Sequence, residues 1–162
     1  MESVVIFFGT KGHLIVISGA LCALLFVTLE QRISLFYKAL LALPLAFLIG
    51  RLLTLFIDSP RPFVVENVQS LIPHIANNGF PSEHTLLVAT VALLVYTEHR
   101  VIGIMLAVVA LLVGIARILA NVHHSIDVGG SIMIALVSVV LAHIGVIWLR
   151  KRYGGKFPLF TN

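Results

Sequence analysis

Apolar residues run in five blocks separated by polar breaks: His13 to Leu29, Ile33 to Ile57, Thr85 to Thr97, Val101 to Asn121 and Ile126 to Leu149. A hydrocarbon core takes roughly 20 residues per helical crossing, so the blocks predict about five transmembrane helices. The third block is short until its preceding turn is added, and the second is long and carries Pro44, a candidate kink. Glu30-Gln31-Arg32 and Glu98-His99-Arg100 read as tight polar turns. The one substantial connector, Asp58 to Pro81, holds four of the six prolines and Asn77-Asn78-Gly79. Within it, Phe63 to Ile75 is expected to form a short interfacial helix. The predicted architecture is an all-α integral-membrane helical bundle, a single domain over residues 1–162 with a loop at 58–81.

Composition supports this reading. At 162 residues, 59% hydrophobic and 11% charged, the chain lacks the polar surface of a soluble globular domain and is neither disordered nor collagen-like. Its one cysteine, Cys22, lies in an apolar run, so no intrachain disulfide is possible. The first block follows Lys11 in the manner of a secretory signal, but it ends in Thr-Leu-Glu-Gln-Arg without a small-residue cleavage site and is read as a retained helix. Five crossings place the termini on opposite sides. Arg32, Lys38, Arg100, Arg150, Lys151, Arg152 and Lys156 then share one side, while Lys11, Arg51, Arg61 and Arg117 share the other. The richer side is expected to be cytoplasmic, which turns the 58–81 loop outward. The net charge of +4 is then a topology determinant that also attracts anionic lipid, and nucleic acid is not an expected partner.

Ionisable residues at membrane depth are costly, and here they converge. Arg61 lies past the outer end of span two, Ser82 and His84 begin span three, Arg117 lies near the outer end of span four, and His123, His124 and Asp127 surround the turn into span five. Two arginines, several histidines, a serine and a carboxylate suit an oxyanion, and no carboxylate or thiolate cage for a metal is evident. Some members have ordinary explanations: Arg61 as an interfacial anchor, Ser82 as an N-cap, Glu83 as a helix-dipole partner. Arg117, with Gly114-Ile115-Ala116 before it and Ile118-Leu119-Ala120 after it, needs an anion. His123 and Asp127 are four apart, which on a helix lets the carboxylate hold one ring nitrogen while the other faces the site. Spacing alone leaves open which histidine is nucleophile and which is acid. His143 reads as a packing histidine, His13, His74 and His99 as interfacial, with His74 near enough to contact a head group, and Gly129-Gly130 as a close-packing pair.

Arg61-Pro62, then Pro81-Ser82-Glu83-His84, then Arg117 with His123 and Asp127 behind it resemble the three-part signature of the type 2 phosphatidic acid phosphatase (PAP2) superfamily. The resemblance covers about residues 51 to 130. It implies that His123 attacks phosphorus, Asp127 orients its ring, and His84 protonates the leaving oxygen and then activates water. It also implies that Arg61, Arg117, Ser82 and backbone N–H groups near Glu83 hold the phosphoryl oxygens, without a metal or other cofactor. The chain departs from the pattern at three places: Thr54 stands where the first motif has a lysine, with Arg51 one turn earlier as its expected substitute; Ala116 replaces a serine; and Glu83 replaces a glycine.

Arg-Pro-Phe-Val, Leu71-Ile72-Pro73-His74 and Gly79-Phe80-Pro81-Ser82-Glu83-His84-Thr85 look most like the bacitracin-resistance type of undecaprenyl-diphosphatase. The implied substrate is undecaprenyl diphosphate, cleaved to undecaprenyl phosphate and phosphate at the outer face of a bacterial cytoplasmic membrane. Phosphatidylglycerophosphate and lipid A phosphate compete as substrates, and a small anion channel or transporter is the non-enzyme alternative.

Overall fold

The computed structural model describes residues 1–153, which are all-helical apart from turns and an isolated bridge between Pro60 and Asn78. Six α-helices follow in order: α1 (Glu2–Ala23), α2 (Leu29–Leu53), α3 (Pro62–Val65), α4 (Glu83–Tyr96), α5 (Arg100–Leu119) and α6 (Ser125–Tyr153). A 3-10 turn, Leu24–Phe26, extends α1. Four segments are long and apolar enough to cross a membrane: Glu2–Phe26, Leu29–Leu53, Arg100–Leu119 and Ser125–Tyr153. The third predicted span is the 14-residue α4, about 21 Å long at 1.5 Å per residue, short as expected.

Several boundaries differ from the sequence reading. The first span starts at Glu2 rather than near His13, so Lys11 lies inside the helix and not in front of it. Glu30-Gln31-Arg32 is the first turn of α2, not a linker. Thr28 Oγ1 accepts the Gln31 N–H at 3.3 Å while Gln31 Oε1 accepts the Thr28 N–H at 2.9 Å, and this reciprocal cap starts the helix earlier. Pro44 lies inside an uninterrupted α2. The interfacial helix expected over Phe63 to Ile75 shrinks to the four residues of α3. Beyond it the backbone turns outward for partners: the Leu71 N–H donates to the Ala120 carbonyl at 3.1 Å and Asn121 Nδ2 donates to the Gln69 carbonyl at 3.0 Å. The loop is thereby bound to the end of α5 instead of coiling on itself.

The shortest of the five long helices, α4, is the most enclosed. Eight of the fourteen residues of α4 are buried, and α4 packs against α1, α2, α5 and α6. Its apolar contacts include Val88 and Ala92 with Val16 of α1 and Val113 of α5. On its other side Ala89 meets Ala46 of α2 and Ala135 of α6. Leu14, Phe36, Ile104, Leu111 and Leu141 point out of the bundle, as helices facing lipid require. Of the glycine pair, Gly130 abuts the Phe80 ring and has no room for a Cβ, whereas Gly129 faces open space.

At the end of the bundle away from the long loop, Lys38 is only 3% exposed and is bonded to Glu98 and to Thr97 Oγ1. It is therefore an internally neutralised cation rather than a free surface charge of that side. Arg150, Lys151 and Arg152 close the last turn of α6, and Lys156 lies outside the described residues.

Candidate active site

The loop that brings Arg61 inward is folded around Asn78. Its Oδ1 accepts the Ser59 N–H at 3.1 Å and the Phe80 N–H at 3.0 Å, and its Nδ2 donates to the Ile57 carbonyl at 2.7 Å. Gly79 passes so close that a Cβ there would lie 3.0 Å from both Asp127 Oδ2 and the Ser59 carbonyl oxygen. Ser131, one turn beyond Asp127 on α6, donates to the carbonyls of Ser82 at 3.0 Å and of Asp127 at 2.7 Å. The starts of α4 and α6 are therefore tied together, which places their motifs side by side.

Arg61, Arg117, His84 and His123 line a single cavity of about 370 Å³, joined on its wall by Arg51 and Glu83. His123 Nε2 lies 3.2 Å from Arg61 Nη1 and 3.3 Å from Arg117 Nη2. A guanidinium only donates, so Nε2 must be the accepting, unprotonated nitrogen and Nδ1 carries the proton. Nδ1 faces Asp127 Oδ2 at 3.5 Å, a contact longer than a closed hydrogen bond. Asp127 is itself fully buried and accepts the His124 N–H at 2.8 Å through Oδ2.

Both arginines are fixed by the protein. Arg61 donates through Nη1 to the Val122 carbonyl at 2.7 Å and through Nε to Asn77 Oδ1 at 2.9 Å. Arg117 donates to the Gly9 carbonyl of α1 at 3.0 Å, and its buried Nε has no partner. Burial lowers the pKa of His123 below the ordinary imidazole value; Asp127 opposes that shift, and Arg117 and Arg61 reinforce it. The ring is therefore neutral at neutral pH.

Two predicted residues lie off the cavity wall. Asp127 stands behind His123. Ser82 is at the N-cap position of α4, but its side chain caps no N–H; the fully buried Oγ accepts from Thr85 Oγ1 at 3.0 Å. Ser82 thus braces the first turn of α4 instead of facing the cavity as a phosphate ligand. Arg51 is exposed, its guanidinium 6.0 Å from the Phe47 ring centroid. Thr54, in the place of the usual lysine, also lines the cavity.

Three further neighbours complete the site, His13 and Asn77 unexpectedly and His74 in line with its expected reach to a head group. His13 of α1, read as interfacial, meets the His84 ring edge-on at 5.3 Å between centroids. His74 lines the cavity and meets the His123 ring at 6.0 Å. Asn77 holds Arg61. Only His74 carried a signal in the sequence, its position in the loop between the first two motifs. His124 is turned aside, with Nε2 3.4 Å from Glu66 Oε1. Among the described residues, no group of three or more His, Cys, Asp or Glu side chains is placed to hold a metal.

The chain is 34% identical over 113 residues to undecaprenyl-diphosphatase BcrC of Bacillus subtilis, a match covering 70% of this chain and 58% of that protein. The chain thus spans somewhat under three fifths of that relative. Its fold matches the crystal structure of Aquifex aeolicus LpxE with a TM-score of 0.70 and 25% identity, covering 87% of this chain and 84% of that one. It also matches a PAP2-type phosphatidylglycerolphosphate phosphatase of Bacillus subtilis with a TM-score of 0.56 and 21% identity, covering 94% and 86%, a likeness of fold. The model of the PAP2 superfamily matches residues 35–151, which include every motif residue of the cavity. The chain is a multi-pass membrane protein and belongs to the PAP2 superfamily.

Proposed function

We propose that the chain is a metal-independent lipid phosphatase that cleaves undecaprenyl diphosphate to undecaprenyl phosphate and inorganic phosphate. The observation that carries this reading is His123 Nε2, unprotonated and flanked at 3.2 and 3.3 Å by two buried guanidiniums. A tetrahedral anion entering there draws the N–H groups of Arg61 and Arg117 onto its oxygens and frees the Nε2 lone pair for the phosphorus. His123 Nε2 bonds to the terminal phosphorus as the bridging P–O bond breaks. His84 supplies a proton to the departing prenyl monophosphate. Asp127 stabilises the Nδ1–H as positive charge develops on the ring. Water, deprotonated by His84, then attacks the phosphohistidine, releases phosphate and restores Nε2.

The lipid part has a place beside this cavity. An apolar groove of about 230 Å³, lined by Leu43, Ala46, Leu87 and Thr90, shares Phe47, Glu83 and Leu86 with the polar cavity. A diphosphate seated among the arginines passes its prenyl chain between α2 and α4 into the bilayer. Arg51, at the mouth beside Phe47, takes the part of the missing lysine. The basic end of α6, together with Arg32 and Arg100, supports a cytoplasmic location for that end and an extracytoplasmic cavity in a bacterial inner membrane. The chain is read as one catalytic domain, of which the family model covers residues 35–151.

The test is phosphate release by purified protein in detergent and chelator. Long-chain prenyl diphosphate is expected to give the highest kcat/KM when compared with phosphatidylglycerophosphate and lipid A phosphate. Preference for either of the latter assigns the chain to a different lipid, and ion flux without hydrolysis makes it a channel or transporter.

A further inference from the structure

His74 lies outside the three motifs, and the mechanism above does not use it. The Ile75 N–H donates to its Nδ1 at 3.1 Å. A nitrogen that accepts is unprotonated, so in the neutral ring the proton is on Nε2. The neutral form is the one present: burial, then the charges of Arg61 and Arg117, lower the pKa of His74 to about 4. Its ring forms part of the cavity wall and stands nearly perpendicular to the ring of His123, 81° between planes at 6.0 Å between centroids. With Nδ1 occupied by the backbone, Nε2–H is the one polar group the ring can offer to a cavity ligand. The backbone bond sets this tautomer whether or not the cavity is filled. A charged imidazole at this position would add a third cation beside the two guanidiniums, and the neutral donor avoids that repulsion.

We infer that His74 is a substrate-binding residue of this phosphatase, donating its Nε2–H to an oxygen of the phosphoryl group that His123 attacks. The inference rests on the diphosphatase reading for its substrate, while the chemistry recognised is that of any tetrahedral oxyanion. It assigns the loop between the first two motifs a direct part in holding the anion, beyond its role in positioning Arg61.

Two variants separate donation from ring packing. His74→Phe keeps an aromatic ring against His123 but has no N–H, whereas the Nε2 amide of His74→Gln retains a donor. In the full chain with prenyl diphosphate, His74→Phe is expected to lower kcat/KM about 10- to 100-fold, the worth of one hydrogen bond to a charged group. His74→Gln is expected to stay within about fivefold of the unmodified protein, since its donor is preserved. Undiminished activity in His74→Phe, or equal losses in both variants, overturns the inference. Orthovanadate binding measured calorimetrically on the same three proteins is expected to follow the same order. If the unmodified protein hydrolyses no lipid but vanadate binding keeps that order, the diphosphatase reading fails and the role of His74 stands; hydrolysis without the order leaves the enzyme and removes His74. Should His74→Phe not fold, nitrogen NMR of the unmodified protein decides: the His74 Nε2–H resonance is expected to move when vanadate is added, and an unmoved resonance contradicts the assignment.

Discussion

The two ends of the bundle both bury cations, and they treat them in opposite ways. At one end Lys38 is matched by one carboxylate, Glu98, with Thr97 Oγ1 accepting a second hydrogen bond at 3.1 Å. Gln31 fastens the same corner by donating to the Glu98 carbonyl at 3.2 Å. At the other end Arg61 and Arg117 converge on a neutral imidazole, Arg117 Nε has no partner, and the buried carboxylate Asp127 lies beyond the ring. A cation withdrawn from water needs a counter-charge. The first end supplies it by direct contact within the chain and so locks α2 to the α4–α5 turn; at the second, Glu83 and Asp127 act on the arginines only from a distance, and the direct contact is left to a ligand. Burial of charge alone would flag both places, and the missing direct carboxylate contact distinguishes a binding site from a structural clamp.

That contrast can be broken most severely at His123. Replacing it with alanine is expected to lower turnover at least about 10⁴-fold, as loss of a covalent nucleophile does, with an unchanged melting temperature to show that the bundle persists. At the clamp the expectation reverses. Glu98→Ala leaves Lys38 buried without its carboxylate and is expected to cost about 3 to 5 kcal/mol of stability, read as earlier thermal unfolding in detergent, while kcat of the folded fraction is retained. A large loss of kcat without loss of stability there would erase the distinction between the two ends.

Arg117→Lys preserves the charge but not the fork of donors that reaches both Gly9 and His123. A reduction in kcat/KM of about 10²- to 10³-fold is expected, the usual loss for one oxyanion donor, with prenyl diphosphate hydrolysis as the measurement. The smallest effect concerns proton occupancy. With its pKa lowered, His123 is expected to remain neutral as pH falls past the ordinary imidazole value and to protonate only at lower pH. Nitrogen NMR of the ligand-free protein, assigned by the signal lost in His123→Asn, checks this; a titration at or above pH 6.5 would contradict it.

The parts of the molecule legible in its sequence were those governed by local pattern. Long apolar runs marked the spans, and the motif residues Arg61, His84, Arg117 and His123 were found as a group because polar residues at membrane depth are conspicuous. Long-range pairing was not legible. Nothing in Gly9 shows that its carbonyl receives Arg117, and nothing in His13 shows that its ring meets His84, since both depend on the packing of α1 against α4 and α5. The overestimated interfacial helix has the same origin, because Phe63 and Leu71 direct their N–H groups to the Asn121 and Ala120 carbonyls across the loop. Ser82 shows a further limit: its position at a helix start was readable, but its hydrogen bond with Thr85 inside the bundle was not.

Trapping the phosphorylated protein tests the central claim most directly. Prenyl diphosphate labelled at its terminal phosphorus is mixed with the protein and quenched in base, which preserves phosphohistidine. The expected result is label bound to the chain, released by mild acid, and absent from His123→Ala. Turnover without such an adduct, or equal labelling of His123→Ala, would contradict the assignment of His123 as the nucleophile.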